Sequence, residues 1–226
     1  ATMSCLYKIY SYNFYNFNAI VFIEFLFYFG LGCDLLIALG GYLVCSKYFS
    51  TETMSMDKTW TGWLACLLCY APLFYVVNMF TRQVDKFIWT DWLSQEHFLY
   101  WIWALFITIT WLIYWLATFS FGLRFANLSW RGLVNTGVYR YVKHPAYLSK
   151  NIYWWMHTVP WFGVVGWDIL KNILALSIIS TIYYWRAKTE ERHLMKFEEY
   201  REYSRWIEKN GWWAKIKKNL KRVNLG

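Results

Sequence analysis

The sequence predicts an all-α integral membrane protein with about five transmembrane helices, a structured loop on the cytosolic face and a helical C-terminal tail. Three observations predict it. The 226 residues are 58% hydrophobic and 23% aromatic but only 16% charged, against roughly 45–50% apolar and about 25% charged in soluble domains. So little polar surface cannot cover so much apolar mass. This argues against a water-soluble globule and excludes disorder, a collagen-like fibre and a disulfide scaffold. The apolar residues also gather into runs of bilayer length, and the basic residues gather on one side of those runs.

The first run, Ala19 to Val44, is long enough for a bilayer core that takes about 20 residues per helix. It carries Glu24 and Asp34, which predicts a tilted helix or one with a face turned to protein rather than lipid. The second run is Trp60 to Phe80, with Pro72 as a mild interruption. Thr81 to Gln95, with Trp89 and Trp92, is expected along an interface. The third run, Phe98 to Phe121, is almost free of charge. The fourth, Asn151 to Val165, and the fifth, Trp167 to Trp185, are separated by Gly163 and Gly166, which predict a tight turn and a helical hairpin. The chain thus divides into 1–121, with three spans and the interfacial segment, and 122–226, with the loop, the hairpin and the tail.

Orientation follows from lysine and arginine. Five spans put 45–59, 122–150 and 186–226 on one side with 19 basic residues. Only Lys8, Arg82, Lys86 and Lys171 lie on the other. The loaded side, including the C-terminus, is expected in the cytosol, and a bacterial inner membrane is expected rather than endoplasmic reticulum. The split also accounts for the net charge of +9 without nucleic acid, through attraction to anionic lipid headgroups. In the tail, Leu194, Phe197, Tyr200, Tyr203 and Ile207 recur at helical spacing. Trp206, Trp212 and Trp213, ahead of Lys215, Lys217 and Lys218, read as an interfacial anchor. Cys66 and Cys69 form a C-x-x-C inside an apolar run, where small core residues are the expected reading, and no His, Cys or carboxylate spacing suits a metal.

Polar residues are scarce, so their clusters are informative. Residues 131–147 run R-G-L-V-N-T-G-V-Y-R-Y-V-K-H-P-A-Y. The glycines permit positive φ, and Pro145 turns His144 away from helix. Residues 186–194 run R-A-K-T-E-E-R-H-L, which places Arg186 and Glu190 one turn apart on one helix face. Taken singly, the first is a basic cytosolic loop and the second an ion-paired helix end. On the expected topology they flank the hairpin on one side of the membrane and can converge.

Together, G-x-Y-R-Y-x-K-H-P-x-Y, a hairpin, R-x-x-x-E-E-x-x-L and F-E-E-Y-x-E-Y resemble the isoprenylcysteine carboxyl methyltransferase family. This belongs to a wider group of membrane methyltransferases that includes phospholipid N-methyltransferases. The likeness covers about Leu123 to Tyr203, and Leu123 to Leu128 with Lys150, Asn151, Trp154 and Trp155 is similar to a bacterial branch. It implies a catalytic loop on the cytosolic face and S-adenosylmethionine as cofactor. Matched position by position, the family's cofactor contacts fall on Arg131, Gly132, Leu133, Val134, Tyr139, His144, Pro145, Ala146 and Tyr147. Glu190 matches the acidic residue at the cofactor's amino end, and Arg186 matches the arginine facing the methyl acceptor. Lys143 stands where the family has arginine, Arg131 where its eukaryotic members often have histidine, and no glycine follows Phe197.

The chemistry agrees with these assignments. A carboxylate suits the cofactor's ammonium, and aromatic faces suit adenine and the sulfonium. A carboxylate acceptor is already anionic, whereas an amine needs a base, for which Glu191, His144 and His193 are candidates. A lipophilic or lipid-linked acceptor would enter sideways from the bilayer. Two readings stand beside this one: a sterol-reductase-like enzyme using a phosphorylated nicotinamide cofactor, and a non-catalytic membrane scaffold.

Overall fold

The first long helix, α1 (Ala19–Leu43), begins where the Asn18 side chain accepts a hydrogen bond from Val21 N at 2.8 Å, satisfying one of the donors that a helix start leaves unpaired. The computed structural model describes Tyr7, Tyr10, Ser11, residues 18–81 and residues 88–223. Lys8, Arg82 and Lys86, on which part of the expected charge asymmetry rests, lie outside the described residues, as does 82–87 of the expected interfacial segment.

After α1 come β1 (Ser55–Met56), α2 (Trp60–Leu67), α3 (Leu73–Thr81), α4 (Phe98–Phe121), β2 (Ser129–Trp130), α5 (Pro145–Thr158), α6 (Trp167–Leu194), α7 (Glu198–Asn210) and α8 (Trp212–Val223). The described residues are mostly helical. Two helical stretches, Ala19–Leu43 and Phe98–Arg124, are long and apolar enough to cross a membrane.

The second predicted span is not one helix. α2 stops at Leu67 and α3 starts at Leu73. Pro72 has no N–H and its ring collides with a preceding helical turn, so it cannot continue α2. It instead stands just ahead of α3, where its carbonyl accepts from Tyr75 N at 3.1 Å. The helix predicted from Asn151 begins earlier, at Pro145, and ends at Val159 in a left-handed conformation (φ 41°). Proline fits the first helical position, where its missing N–H is not needed.

α4 is the packing centre. Tyr100, Ala104, Ile107, Trp111 and Tyr114 recur at three- and four-residue steps and are buried against α1 and α5. Phe27 and Tyr153 both meet the Trp111 ring edge-on, at 5.2 and 4.8 Å. Two residues of α1 admit close neighbours: the Trp115 indole occupies the place of a side chain at Gly30, and a Cβ at Gly41 would collide with the Phe125 carbonyl oxygen.

α5 and α6 form the expected hairpin, turned by Gly163 and Gly166 at positive φ. The contacts Trp155–Ser180, Tyr147–Glu190 and His144–Glu191 step outward symmetrically from that turn, as antiparallel packing requires. α6 does not end at the last apolar residue. It runs unbroken for 28 residues to Leu194. α7 buries Tyr200, Tyr203 and Ile207 on Trp130 and Leu133 of the loop, with Trp130 stacked on Phe197 at 4.7 Å.

The 122–144 segment is pinned rather than free. β2 pairs antiparallel with β1, Ser55 opposite Trp130 and Met56 opposite Ser129. The Tyr203 hydroxyl donates to Tyr139 O at 2.7 Å, Trp212 N to Tyr141 O at 3.0 Å, and Lys143 Nζ to Glu208 at 2.8 Å.

Candidate active site

Three segments meet at one point. On α6, Arg186 and Glu190 are one turn apart, with Arg186 Nη2 and Glu190 Oε1 3.4 Å apart. α5, starting at Pro145, projects Tyr147 between them. Arg186 Nε donates to the Tyr147 hydroxyl at 2.6 Å, and that hydroxyl donates to Glu190 Oε1, also at 2.6 Å. The third segment is the loop before β2. Its Asn127 Oδ1 accepts from Arg186 Nη2 at 2.7 Å and from the Tyr70 hydroxyl at 3.2 Å. Leu128, next in the chain, has φ 56°, a conformation that costs an ordinary residue roughly 1–2 kcal/mol. It is held there by Asn127 N on the Tyr42 hydroxyl and by Asp57 N on Leu128 O, at 3.2 and 2.7 Å.

This network forms part of the wall of a cavity of about 400 Å³. Every residue matched to a cofactor contact except Pro145 lines it: Arg131, Gly132, Leu133 and Val134 from the loop, Tyr139 from the turn before α5, and His144, Ala146, Tyr147 and Glu190. Arg186 lines it as well. Pro145 is buried and starts α5. Glu191 is not on the wall.

The geometry refines several of these placements. The Arg131 guanidinium is turned into the fold. It is buried and donates to Gly41 O at 2.6 Å and to the Thr53 hydroxyl at 3.2 Å, so it satisfies a carbonyl that the end of α1 leaves unpaired. Gly132, at φ 94°, carries the backbone past Arg124 in a conformation that only glycine adopts without strain. Glu191 accepts from His144 Nε2 at 3.2 Å and from Lys188 Nζ at 2.8 Å. The His144 bond, and then Lys188, hold its carboxyl down at about 2 despite partial burial. Burial first, and then the nearby Glu190, keep the Tyr139 phenol well above its usual range and therefore neutral.

Sequence reasoning gives no role to Asn127, Tyr70, Tyr114 or Lys150, yet all four line the cavity. Only the Asn127–Leu128 and Lys150–Asn151 likeness pointed near them. Asp34, expected to face protein, also lines it and accepts from the Tyr114 hydroxyl at 2.6 Å.

The wall suits a polar, zwitterionic ligand. Arg186 Nη1, Ser129 Oγ and the Tyr200 hydroxyl are buried on it without a hydrogen-bond partner among the described residues. Buried polar atoms are seldom left so, and here they supply unused donors and acceptors beside the Glu190 carboxylate and the faces of Tyr139 and Tyr147.

Residues 99–196, from the start of α4 to just beyond α6, match the isoprenylcysteine carboxyl methyltransferase family. No curated protein and no solved structure matches the chain. The family match and the two apolar helices together point to a membrane protein, and the family points to methyl transfer. Both polar clusters, the hairpin between them and the Arg186–Tyr147–Glu190 network fall inside the matched region. Over residues 99–196, a little under half of its length, the chain is similar to the isoprenylcysteine carboxyl methyltransferase family.

Proposed function

We propose that this protein is a multi-pass membrane methyltransferase that binds S-adenosylmethionine on its cytosolic face and methylates the carboxylate of an isoprenylcysteine-like, lipophilic acceptor. One observation carries the reading: Arg186, Tyr147 and Glu190 form one hydrogen-bonded unit on the wall of a cavity that residues 131–134 and Tyr139 also line.

S-adenosylmethionine supplies a methyl group on a sulfonium, a good electrophile. The protein's own residues bind and position. Glu190 offers a carboxylate to an ammonium, and the Tyr139 and Tyr147 faces offer π-density to a cation or an adenine ring. Arg186, fixed through Nε and Nη2, keeps Nη1 for an acceptor oxygen. Fixing the reacting groups in this way is the main lever that a protein has on an in-line displacement.

The ionisation of Glu191 removes one of the three candidate bases that an amine acceptor would need. A general base works best with a pKa near the working pH, whereas Glu191 is held at about 2 by His144 and Lys188. A carboxylate acceptor needs no proton removed. In the proposed topology α1, the broken α2–α3 unit, α4, α5 and α6 make five passages. The loop and tail lie in the cytosol, and α8 rests on anionic headgroups of a bacterial inner membrane.

Calorimetric titration of the detergent-purified protein with S-adenosylhomocysteine, and in parallel with NADPH, tests the proposal. Saturable binding of the first alone is expected. Binding of NADPH alone would move the protein to reductase chemistry, and binding of neither by folded protein would leave a scaffold.

A further inference from the structure

Five cationic residues line the main cavity, Arg124, Arg131, Lys143, Lys150 and Arg186, of which Arg131 turns its guanidinium away into the fold. Four of them have protein acceptors. Arg131 serves Gly41 and Thr53, Lys143 serves Glu208, and Arg124 reaches the Leu133 carbonyl at 3.5 Å. Arg186 is partnered through Nε and Nη2, but its buried Nη1 is not. Lys150 differs from all of them. Its ammonium rests on the Tyr114 ring, 4.5 Å from the centroid, and its N–H groups have no hydrogen-bond acceptor among the described residues. Asp34 does not take up this charge directly. It accepts instead from the hydroxyls of Tyr114 and Thr118, at 2.6 and 3.3 Å, so Asp34 and Lys150 share Tyr114, one at its hydroxyl and the other at its ring.

Lys150 lies one turn along α5 from Tyr147, on the same cavity-facing stripe. It also lines an adjoining cavity of about 160 Å³, which it shares with Cys69 and Tyr114 and whose further wall includes Phe27, Trp111 and Trp154. Lys150 therefore stands between the cavity that holds the Arg186–Tyr147–Glu190 network and a smaller one walled largely by aromatic rings. Such a junction suits the charged end of an amphiphile.

We propose that Lys150 is a second anchor for the acceptor's carboxylate, one oxygen taking Arg186 Nη1 and the other the Lys150 ammonium. The inference rests on the proposed function and adds to it an acceptor-binding residue that decides acid against neutral acceptors. A carboxylate held by two cations has its orientation fixed as well as its charge met.

The test uses the full chain without cofactor. N-acetyl-S-farnesylcysteine and its carboxamide are titrated calorimetrically into wild type, Lys150→Met and Lys150→Arg. In wild type the acid is expected to bind at least about tenfold more tightly than the carboxamide, the effect of one charge-assisted hydrogen bond. Lys150→Met should remove that preference while leaving carboxamide affinity unchanged, and Lys150→Arg should restore most of it. The double variant Lys150→Met/Asp34→Asn keeps the charge balance, so it separates anchoring from folding and should show the same loss. Equal weakening of acid and carboxamide would assign Lys150 a structural role and overturn the proposal. So would an unchanged preference in Lys150→Met, or no preference in wild type. S-adenosylhomocysteine binding in the same preparations is expected to be unchanged. Its absence from wild type would instead count against the proposed function.

Discussion

Arg186 and Tyr147 meet through a 2.6 Å hydrogen bond from Nε to the phenol oxygen, and this contact joins the two polar clusters of the sequence. Tyr147→Phe keeps the ring and removes the shared hydroxyl. Hydrogen bonds to charged groups contribute about 1.5–3 kcal/mol each. Methyl transfer per folded molecule is therefore expected to fall by at least about tenfold, and the melting temperature to fall with it. Turnover with N-acetyl-S-farnesylcysteine, beside a melt, checks this.

Glu190 and Arg186 are one turn apart but are expected to fail differently. Glu190→Ala should abolish measurable S-adenosylhomocysteine binding. Arg186→Ala should retain binding and lose turnover. Cofactor affinity unchanged in Glu190→Ala would overturn the placement of that residue at the cofactor's ammonium.

The Arg131 side chain closes the end of α1 rather than facing the cavity. Arg131→Met leaves the Gly41 carbonyl without its donor, and roughly 1.5–3 kcal/mol of stability should go with it. A lowered melting temperature with nearly unchanged S-adenosylhomocysteine affinity is the expected result. The reverse pattern would return the guanidinium to the cofactor site.

The Glu191 carboxyl is depressed from 4.5 to about 2 by His144 and Lys188. A group whose folded pKa lies below its unfolded one stabilises above the unfolded value, and this stability is lost as pH falls through the folded value. Wild type should therefore lose stability relative to Glu191→Gln as pH drops from about 4.5 towards 2. Parallel thermal melts between pH 3 and 7 read the effect. Curves that stay parallel across that window would contradict it.

The loaded face should be cytosolic. A cysteine introduced as Asn219→Cys on α8, in a chain without other cysteines, is expected to react with an impermeant reagent only from the cytosolic side. Labelling from outside would reverse the topology.

Much of this architecture is legible in the sequence, for physical reasons. α1 and α4 announce themselves because a helix in lipid must be apolar along its whole length. The Arg186–Glu190 pairing follows from the helical repeat alone. The break between α2 and α3 was harder to read. Tyr70, Ala71 and Pro72 carry no charge, so an apolar run counted over the length of a bilayer passes through a point that the helix cannot. The β1–β2 pairing involves two residues per strand, too few to leave an alternation. The roles of Asn127, Tyr114 and Lys150 are not legible in the sequence because they depend on which helices become neighbours. Nothing local to Lys150 says that it will lie over Tyr114, and nothing local to Arg131 says that it will turn towards α1.

The continuity of α6 has a consequence for how this protein meets a lipid. At about 1.5 Å per residue, its 28 residues make a rod of roughly 42 Å, longer than a hydrocarbon core of about 30 Å. Trp167 and Arg186 are 19 residues apart, or about 28 Å along the axis. On the proposed topology a rod anchored at Trp167 on one side brings Arg186 level with the opposite headgroup boundary. α6 then works as a depth gauge. The reactive groups are carried at a height set by the count of residues beneath them, with no hinge to adjust it. Acceptors would be sorted by where their polar end floats in the bilayer as well as by shape, and one inserted residue below Arg186 would raise it by about 1.5 Å and swing it by about 100°, away from Tyr147.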